Sequence, residues 1–409
     1  MKYKTQKNSL GFALILAIFS ALGPFTVDMY LASLPQIAVF FGTSATAVQA
    51  SLTTSLLGLG LGQLIMGPLS DIYGRRQPLL ISMILYILSS IGCAFAPSIG
   101  WFISLRFIQG VAASAGLVIS RAIVRDRFSG IEMTKFISLL TMISNVAPLI
   151  SPTAGSTVMS YSSWLGVFIF LGVLGIGLTG ITIWGLKESL PVQQRISGSP
   201  RALMKNYNSL FRKRSFIGYA LVNGILFAGV FAYVAGTPFI YQNIYGVSPQ
   251  LFSILFALNG LAIILGSQFV KLLADRVTES RLFLIGIILA FISSAAVLFI
   301  VLVHGVLSAM FISIFLFALS IGIIGPISFT LAMESQGHIA GGASAVLGTL
   351  QFALGAVTSP LVGIAGENSA IPFGIIIFST SLLSIITYLI LVKGIKKLSG
   401  TKNSFESNT

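Results

Sequence analysis

Apolar residues run along this chain in stretches long enough to cross a bilayer, and the charged residues gather in short clusters between them. A hydrocarbon core about 30 Å thick needs about 20 apolar residues per helix. Stretches of that length fall at 10–34, 46–70, 77–96, 100–122, 134–159, 163–186, 216–241, 250–273, 282–303, 306–332, 341–364 and 370–392. The pattern predicts an all-α membrane protein of twelve transmembrane helices, here spans 1 to 12. The first stretch follows Lys2, Lys4 and Lys7 as a signal peptide would. It runs on to Leu34, has no obvious small-residue cleavage site and contains Asp28, so it reads as span 1.

Composition agrees with a lipid solvent. Of 409 residues 55% are hydrophobic and 8% charged, against roughly 25% charged in soluble domains. The formal charge of +14 does not indicate nucleic acid, because the basic residues form no face with interleaved aromatics. They mark topology instead. Of 24 Lys and Arg, all but Arg106 fall in the termini and loops of one side if the span count is even. Cytoplasmic loops carry such an excess, so both termini are expected in the cytoplasm. The single cysteine, Cys93, permits no internal disulfide or thiolate cluster and reads as packing. His304 and His338 lack ligand-spaced partners, so no metal site is expected.

The polar, basic stretch 188–215 separates spans 1–6 from spans 7–12. It divides the chain into an N-terminal six-helix bundle (1–187), a cytoplasmic linker (188–215), a C-terminal six-helix bundle (216–393) and a polar cytoplasmic tail (394–409). The halves repeat. Gly62 precedes Asp71 by nine residues at the end of span 2, and Gly266 precedes Asp275 by nine at the end of span 8. Ser151-Pro152-Thr153-Ala154-Gly155 in span 5 has a counterpart in Ser359-Pro360-Leu361-Val362-Gly363 of span 11. Repeated halves suit a transporter whose substrate site lies at their interface.

Between spans 2 and 3 stands Gly67-Pro68-Leu69-Ser70-Asp71-Ile72-Tyr73-Gly74-Arg75-Arg76. With twelve spans and a basic central loop, the chain resembles the major facilitator superfamily. Gly67 permits close helix approach and Asp71 can face a helix N-terminus, which the resemblance assigns to span 11 at Gly341-Gly342-Ala343-Ser344. The resemblance further implies that Asp71, Arg75 and Asp126, with Gly67, Gly74 and Arg76, form a cytoplasmic gate. Thr26-Val27-Asp28-Met29-Tyr30-Leu31-Ala32-Ser33-Leu34-Pro35 of span 1 is similar to the Bcr/CflA group of drug:proton antiporters, which includes bicyclomycin and chloramphenicol exporters. Leu105-Arg106-Phe107-Ile108-Gln109-Gly110 resembles the arginine motif of proton antiporters, and residues 233–249 also resemble the group. Span 5 resembles the antiporter helix through Pro148, Pro152 and Gly155. It departs from it at Ala147, Ser151 and Ser156, where glycines are usual, as Ala32 stands where proline is common. The resemblance implies a bacterial cell membrane and a monomer.

Two ionisable residues lie deep in spans. Burying such a group costs about 2.5–3.5 kcal/mol on insertion scales, which marks it as functional by default. At 1.5 Å per residue, Asp28 is about 27 Å from Leu10 and Arg106 about 22 Å from Arg121, comparable depths in neighbouring helices. A contact between them is expected, with Asp28 carrying the proton and Arg106 setting its affinity. A fixed structural ion pair is the competing reading. Tyr30, Gln109, Asn145, Asn223, Tyr233, Asn259 and Gln351 are the candidate cavity residues, though any of them can equally bond helix to helix.

No Gly-x-x-x-x-Gly-Lys loop occurs, so no nucleotide or other cofactor is expected. A proton crossing about 150 mV supplies roughly 3.5 kcal/mol, enough for a few-hundred-fold solute gradient. The expected function is a proton-coupled exporter of small drug-like or toxic compounds that works by alternating access. The alternative is a carrier of an amino acid or sugar derivative with the same fold. An enzyme acting on lipids would need clustered acids or histidines, whereas Asp126, Glu132, Glu188, Glu279, Glu334 and Glu367 are scattered over several loops. The repeat and the gate-like loop argue against a channel.

Overall fold

The computed structural model describes residues 9–128, 130–195, 214–273, 276–333 and 340–393. Lys2, Lys4, Lys7, Asp275, Glu334, His338, linker residues 196–213 and the tail 394–409 lie outside the described residues, as do the side chains of Glu132, Asn145 and 341–345. Span 1 is built from α1 (Ser9–Asp28) and α2 (Leu34–Phe41). Spans 2 to 6 are α3 (Ala45–Tyr73), α4 (Arg76–Ala94), α5 (Ile99–Arg127), α6 (Gly130–Tyr161) and α7 (Trp164–Gly180). Spans 7 to 12 are α8 (Arg214–Phe239), α9 (Pro249–Leu273), α10 (Glu279–Leu302), α11 (Leu307–Met333), α12 (Ala340–Leu361) and α13 (Ile371–Thr387). Wider five-residue turns prolong α7 over Ile181–Gly185 and α8 over Ile240–Ile244.

Serines start several of these helices by accepting an otherwise orphaned backbone N–H. Ser44 caps α3 through Ala47, Ser98 caps α5 through Trp101, and Ser163 caps α7 through Leu165. Leu14, Leu88, Ile176 and Ile292 are among the large apolar side chains left exposed. In lipid this is the low-energy arrangement.

The chain divides into two compact units, one of residues 1–197 with 246–257 and one of 198–245 with 258–409. In the first, α3 and α5 approach through glycine: a side chain on Gly58 would collide with the Phe107 carbonyl, and one on Gly110 with that of Ser55. The second unit repeats the device. Gly266 of α9 faces the Leu319 carbonyl and Gly322 of α11 faces that of Ile263. Contacts of this kind replace the hydrophobic driving force that lipid removes. The start of α9 belongs to the first unit, where Ser253 Oγ donates to the Pro152 carbonyl of α6 at 3.0 Å.

Span 1 differs from the continuous helix ending near Leu34 that the apolar run suggests. It stops at Asp28, turns through a short 3-10 segment at Leu31–Ser33, and resumes to Phe41. Pro35 has no N–H to give the Leu31 carbonyl and sits in the first turn of α2, the helix position that suits proline, so it favours a new start there. Ser33 adds a competing local bond, its Oγ donating to the Tyr30 carbonyl at 2.5 Å. Gly42, at φ +57°, ends α2 in the left-handed conformation that favours glycine.

Candidate functional site

Two polar networks stand out in the first unit, both among otherwise apolar helices. The first closes the end where α3 stops and α4 begins. Gly74 turns the chain there at φ +90°, and a side chain on it would run into the Glu188 carboxylate and Arg195. Arg75, 2% exposed, is at the centre. Its Nε and Nη2 donate to the two Asp126 oxygens of α5 at 2.8 and 3.2 Å, and its Nη1 donates to Asp71 at 2.5 Å and Ser70 at 2.8 Å. The planar guanidinium suits such two-point binding of a carboxylate, which a lysine cannot reproduce.

Glu188, just beyond α7, completes this end. Its Oε1 accepts the backbone N–H of Arg75 at 2.8 Å and those of Ser189 and Leu190 at 3.0 Å, while Oε2 accepts that of Arg76 at 3.2 Å. Burial pushes the Glu188 carboxyl up, but these N–H donors outweigh it and hold the group below its ordinary value. Arg76 donates to the carbonyls of Thr182 and Ile183, a cation placed at the negative end of a helix. Ser189 Oγ donates to Asp126 at 2.9 Å.

The second network lies within the spans around Arg106, a fully buried residue in the first third of α5. Because α1 stops at Asp28, the Thr26 carbonyl is left for other donors, and Arg106 Nη2 takes it at 2.9 Å. Nη1 donates to Gln109, whose amide in turn donates to Ser90 of α4 at 2.7 Å. The guanidinium carbon stands 4.1 Å from the ring centre of Tyr30 and 5.6 Å from that of Phe168. Tyr30 shares a hydrogen with Ser51 of α3, and Thr26 with Tyr86 of α4. Five spans thus converge on one cation stabilised by a helix C-terminus and two aromatic faces.

Asp28 lies 7% exposed at the end of α1. Its expected contact with Arg106 is not made, since among the described residues no ion pair includes either of them. The guanidinium is committed to Thr26 and Gln109 instead. Gly155 of α6 packs where a side chain would meet the Met29 carbonyl, next to the break. In the second unit, Asn259 of α9 donates to the Tyr233 hydroxyl at 3.3 Å and lies against the Tyr241 phenol.

A family model described as the Major Facilitator Superfamily matches residues 14–360. The chain belongs to the major facilitator superfamily. Among its major facilitator relatives, the uncharacterized MFS-type transporter YdgK of Bacillus subtilis is 48% identical over 391 residues, covering 95% of this chain and 97% of the relative. A bicyclomycin resistance protein homolog of Haemophilus influenzae is 28% identical and covers 94% of this chain and 97% of its own. A chloramphenicol resistance protein of Pseudomonas aeruginosa is also 28% identical, over 94% of this chain and 90% of its own. The last two support the group resemblance carried by span 1. Among solved structures, a bacterial homolog of the human lysosomal transporter Spinster superposes with a TM-score of 0.74 at 15% identity, covering 95% of this chain and 98% of that one. The chain is therefore a multi-pass membrane transporter of small molecules rather than an enzyme.

Within this major facilitator chain the structure brings Asp71, Arg75 and Asp126 together, with Gly74 and Arg76 beside them and Gly67 one turn earlier, its carbonyl accepting from Ser70. Tyr30 and Gln109 belong to the Arg106 network. Asn223, Tyr233 and Asn259 are buried in the second unit, and Gln351 is half-buried. Pro148, Pro152 and Gly155 lie along α6. Glu188 was missed, although Lys187-Glu188-Ser189 directly after span 6 marks a charged helix end. Ser90 and Tyr86 were missed too, and their spacing of four on one face of α4 was the available signal.

Proposed function

We propose that this transporter is a proton-coupled exporter of small drug-like or toxic compounds, with Asp28 as the proton carrier. The observation that carries the reading is the position of Asp28. Of ten Asp and Glu, it is the one set within a span and away from span ends, and it sits where the first span loses its helical ladder. Discontinuous spans are where transporters of this general kind place their coupling sites. Arg106 holds the carbonyl of Thr26, two residues away, so a movement that turned its charge onto Asp28 would favour the carboxylate and release the proton. Similarity to bicyclomycin and chloramphenicol resistance proteins supports a drug-like substrate.

In this reading the Asp71–Arg75–Asp126–Glu188 network is the cytoplasmic gate, and the polar residues of α8, α9 and α12 meet the substrate. Both termini are cytoplasmic and the membrane is a bacterial cell membrane. The protein works as a monomer without a bound cofactor, and the proton gradient supplies the energy. The test is proton movement in proteoliposomes of wild type and Asp28→Asn, challenged with chloramphenicol, bicyclomycin and a panel of similar compounds. Drug-dependent proton flux in wild type and its loss in the variant are expected. Equal flux through Asp28→Asn overturns the role of Asp28, and silence of both proteins toward every drug favours a metabolite carrier.

A further inference from the structure

On the surface of the first unit, α1 and α7 leave a groove apart from both polar networks. It is a shallow, open groove of about 570 Å³ lined by Ile15, Ile176, Gly177, Gly180, Ile181 and Trp184. Its walls are almost wholly apolar, and its floor is open because glycines stand where side chains would fill it. A side chain added at Gly177 meets nothing within 4 Å. Trp184, 87% exposed, stands at the end of the groove nearest Glu188. An indole at a span end is suited to the boundary between acyl chains and headgroups.

Three exposed cations surround that same end. The Arg127 guanidinium lies over the ring of Phe12 at 4.7 Å, one helical turn from Ile15, and donates to the Lys187 carbonyl at 3.0 Å. Arg76 donates to the Ile183 carbonyl at 2.6 Å. None of Arg76, Arg127 and Lys187 forms an ion pair among the described residues. The nearest acids are already occupied, Asp126 by Arg75 and Glu188 by backbone N–H groups. The bonds that Arg76 and Arg127 make to carbonyls fix their heads beside the groove without neutralising them.

An open apolar groove with uncompensated positive charge near one end has the chemistry of a phospholipid site with a negative headgroup. We propose that the groove between α1 and α7 binds an anionic phospholipid, one acyl chain lying against Ile15, Gly177 and Ile181 and the phosphate meeting Arg127 and Lys187. A zwitterionic lipid brings no net charge to these cations and is bound less well.

The experiment uses the full-length purified protein in detergent, titrated with phosphatidylglycerol or phosphatidylcholine of the same acyl chains, with bound lipid counted by native mass spectrometry. Wild type is expected to prefer phosphatidylglycerol. The double variant Arg127→Gln/Lys187→Gln is expected to bind it about thirtyfold more weakly, from the typical contribution of each basic residue near an anionic lipid, with phosphatidylcholine unchanged. Gly177→Leu, which fills open space and leaves every cation in place, is expected to weaken both lipids. Should the double variant fail to fold, Gly177→Leu decides alone. Equal affinity of wild type for the two lipids, or wild-type phosphatidylglycerol binding by Gly177→Leu, overturns the proposal.

Discussion

Arg75 holds Asp126 through two N–H bonds, from a guanidinium side chain 3% exposed to a carboxylate 9% exposed. Both partners are charged and nearly dry, but Arg75 is shared with Asp71, so removing Asp126 leaves the cation one carboxylate. Asp126→Ala is expected to lower stability by about 1–3 kcal/mol, from the charge-assisted bonds it deletes. Arg75→Lys, which keeps the charge but not the fork, is expected to cost less. Thermal unfolding of the detergent-purified variants checks the order.

Glu188 adds a pH dependence at the same end. Its carboxyl is held below its ordinary value of 4.5, so it contributes stability that is present above that value and lost as pH falls through the lower folded one. Wild type is expected to unfold at a higher temperature than Glu188→Gln at pH 7, with the difference shrinking as pH drops below about 4.5. Melting curves of both proteins across that window make the comparison.

Tyr30 covers Arg106 with its ring, not its hydroxyl. Tyr30→Phe keeps the ring and is expected to insert and melt nearly as wild type does. Tyr30→Leu removes a desolvated cation–π contact and is expected to cost about 2 kcal/mol. Melting temperatures of the two variants separate ring from hydroxyl.

Glycine at 155 is required by the Met29 carbonyl, whereas a side chain at Gly325 meets nothing within 4 Å. Gly155→Ala is expected to destabilise by about 1–3 kcal/mol as α6 is pushed from the break in span 1. Gly325→Ala is expected to leave stability within about 0.5 kcal/mol. Expression level and melting temperature of the pair give the readout.

The spans were legible in the sequence because lipid permits few alternatives to apolar helices. The cluster of Asp71, Arg75 and Asp126 was legible because the resemblance of the motif between spans 2 and 3 implied all three. Glu188 was not, because its hydrogen bonds come from backbone N–H groups, which no side-chain pattern encodes, with Arg195 only at 3.9 Å. Depth along a helix put Arg106 level with the stretch of span 1 that holds Thr26 and Tyr30. It carries no information on direction around the axis, and so did not show that Arg106 reaches a carbonyl rather than a carboxylate. The break in span 1 was hidden for a simpler reason: Met29 to Leu34 is as apolar as its surroundings, and Pro35 alone marks it.

The Thr26 carbonyl is open to Arg106 because the helical ladder ends at Asp28 and no backbone N–H four residues on takes it. The break and the buried cation therefore support one another: the free helix end offers Arg106 a negative pole inside lipid, and Arg106 supplies a hydrogen bond that the break would leave unmade.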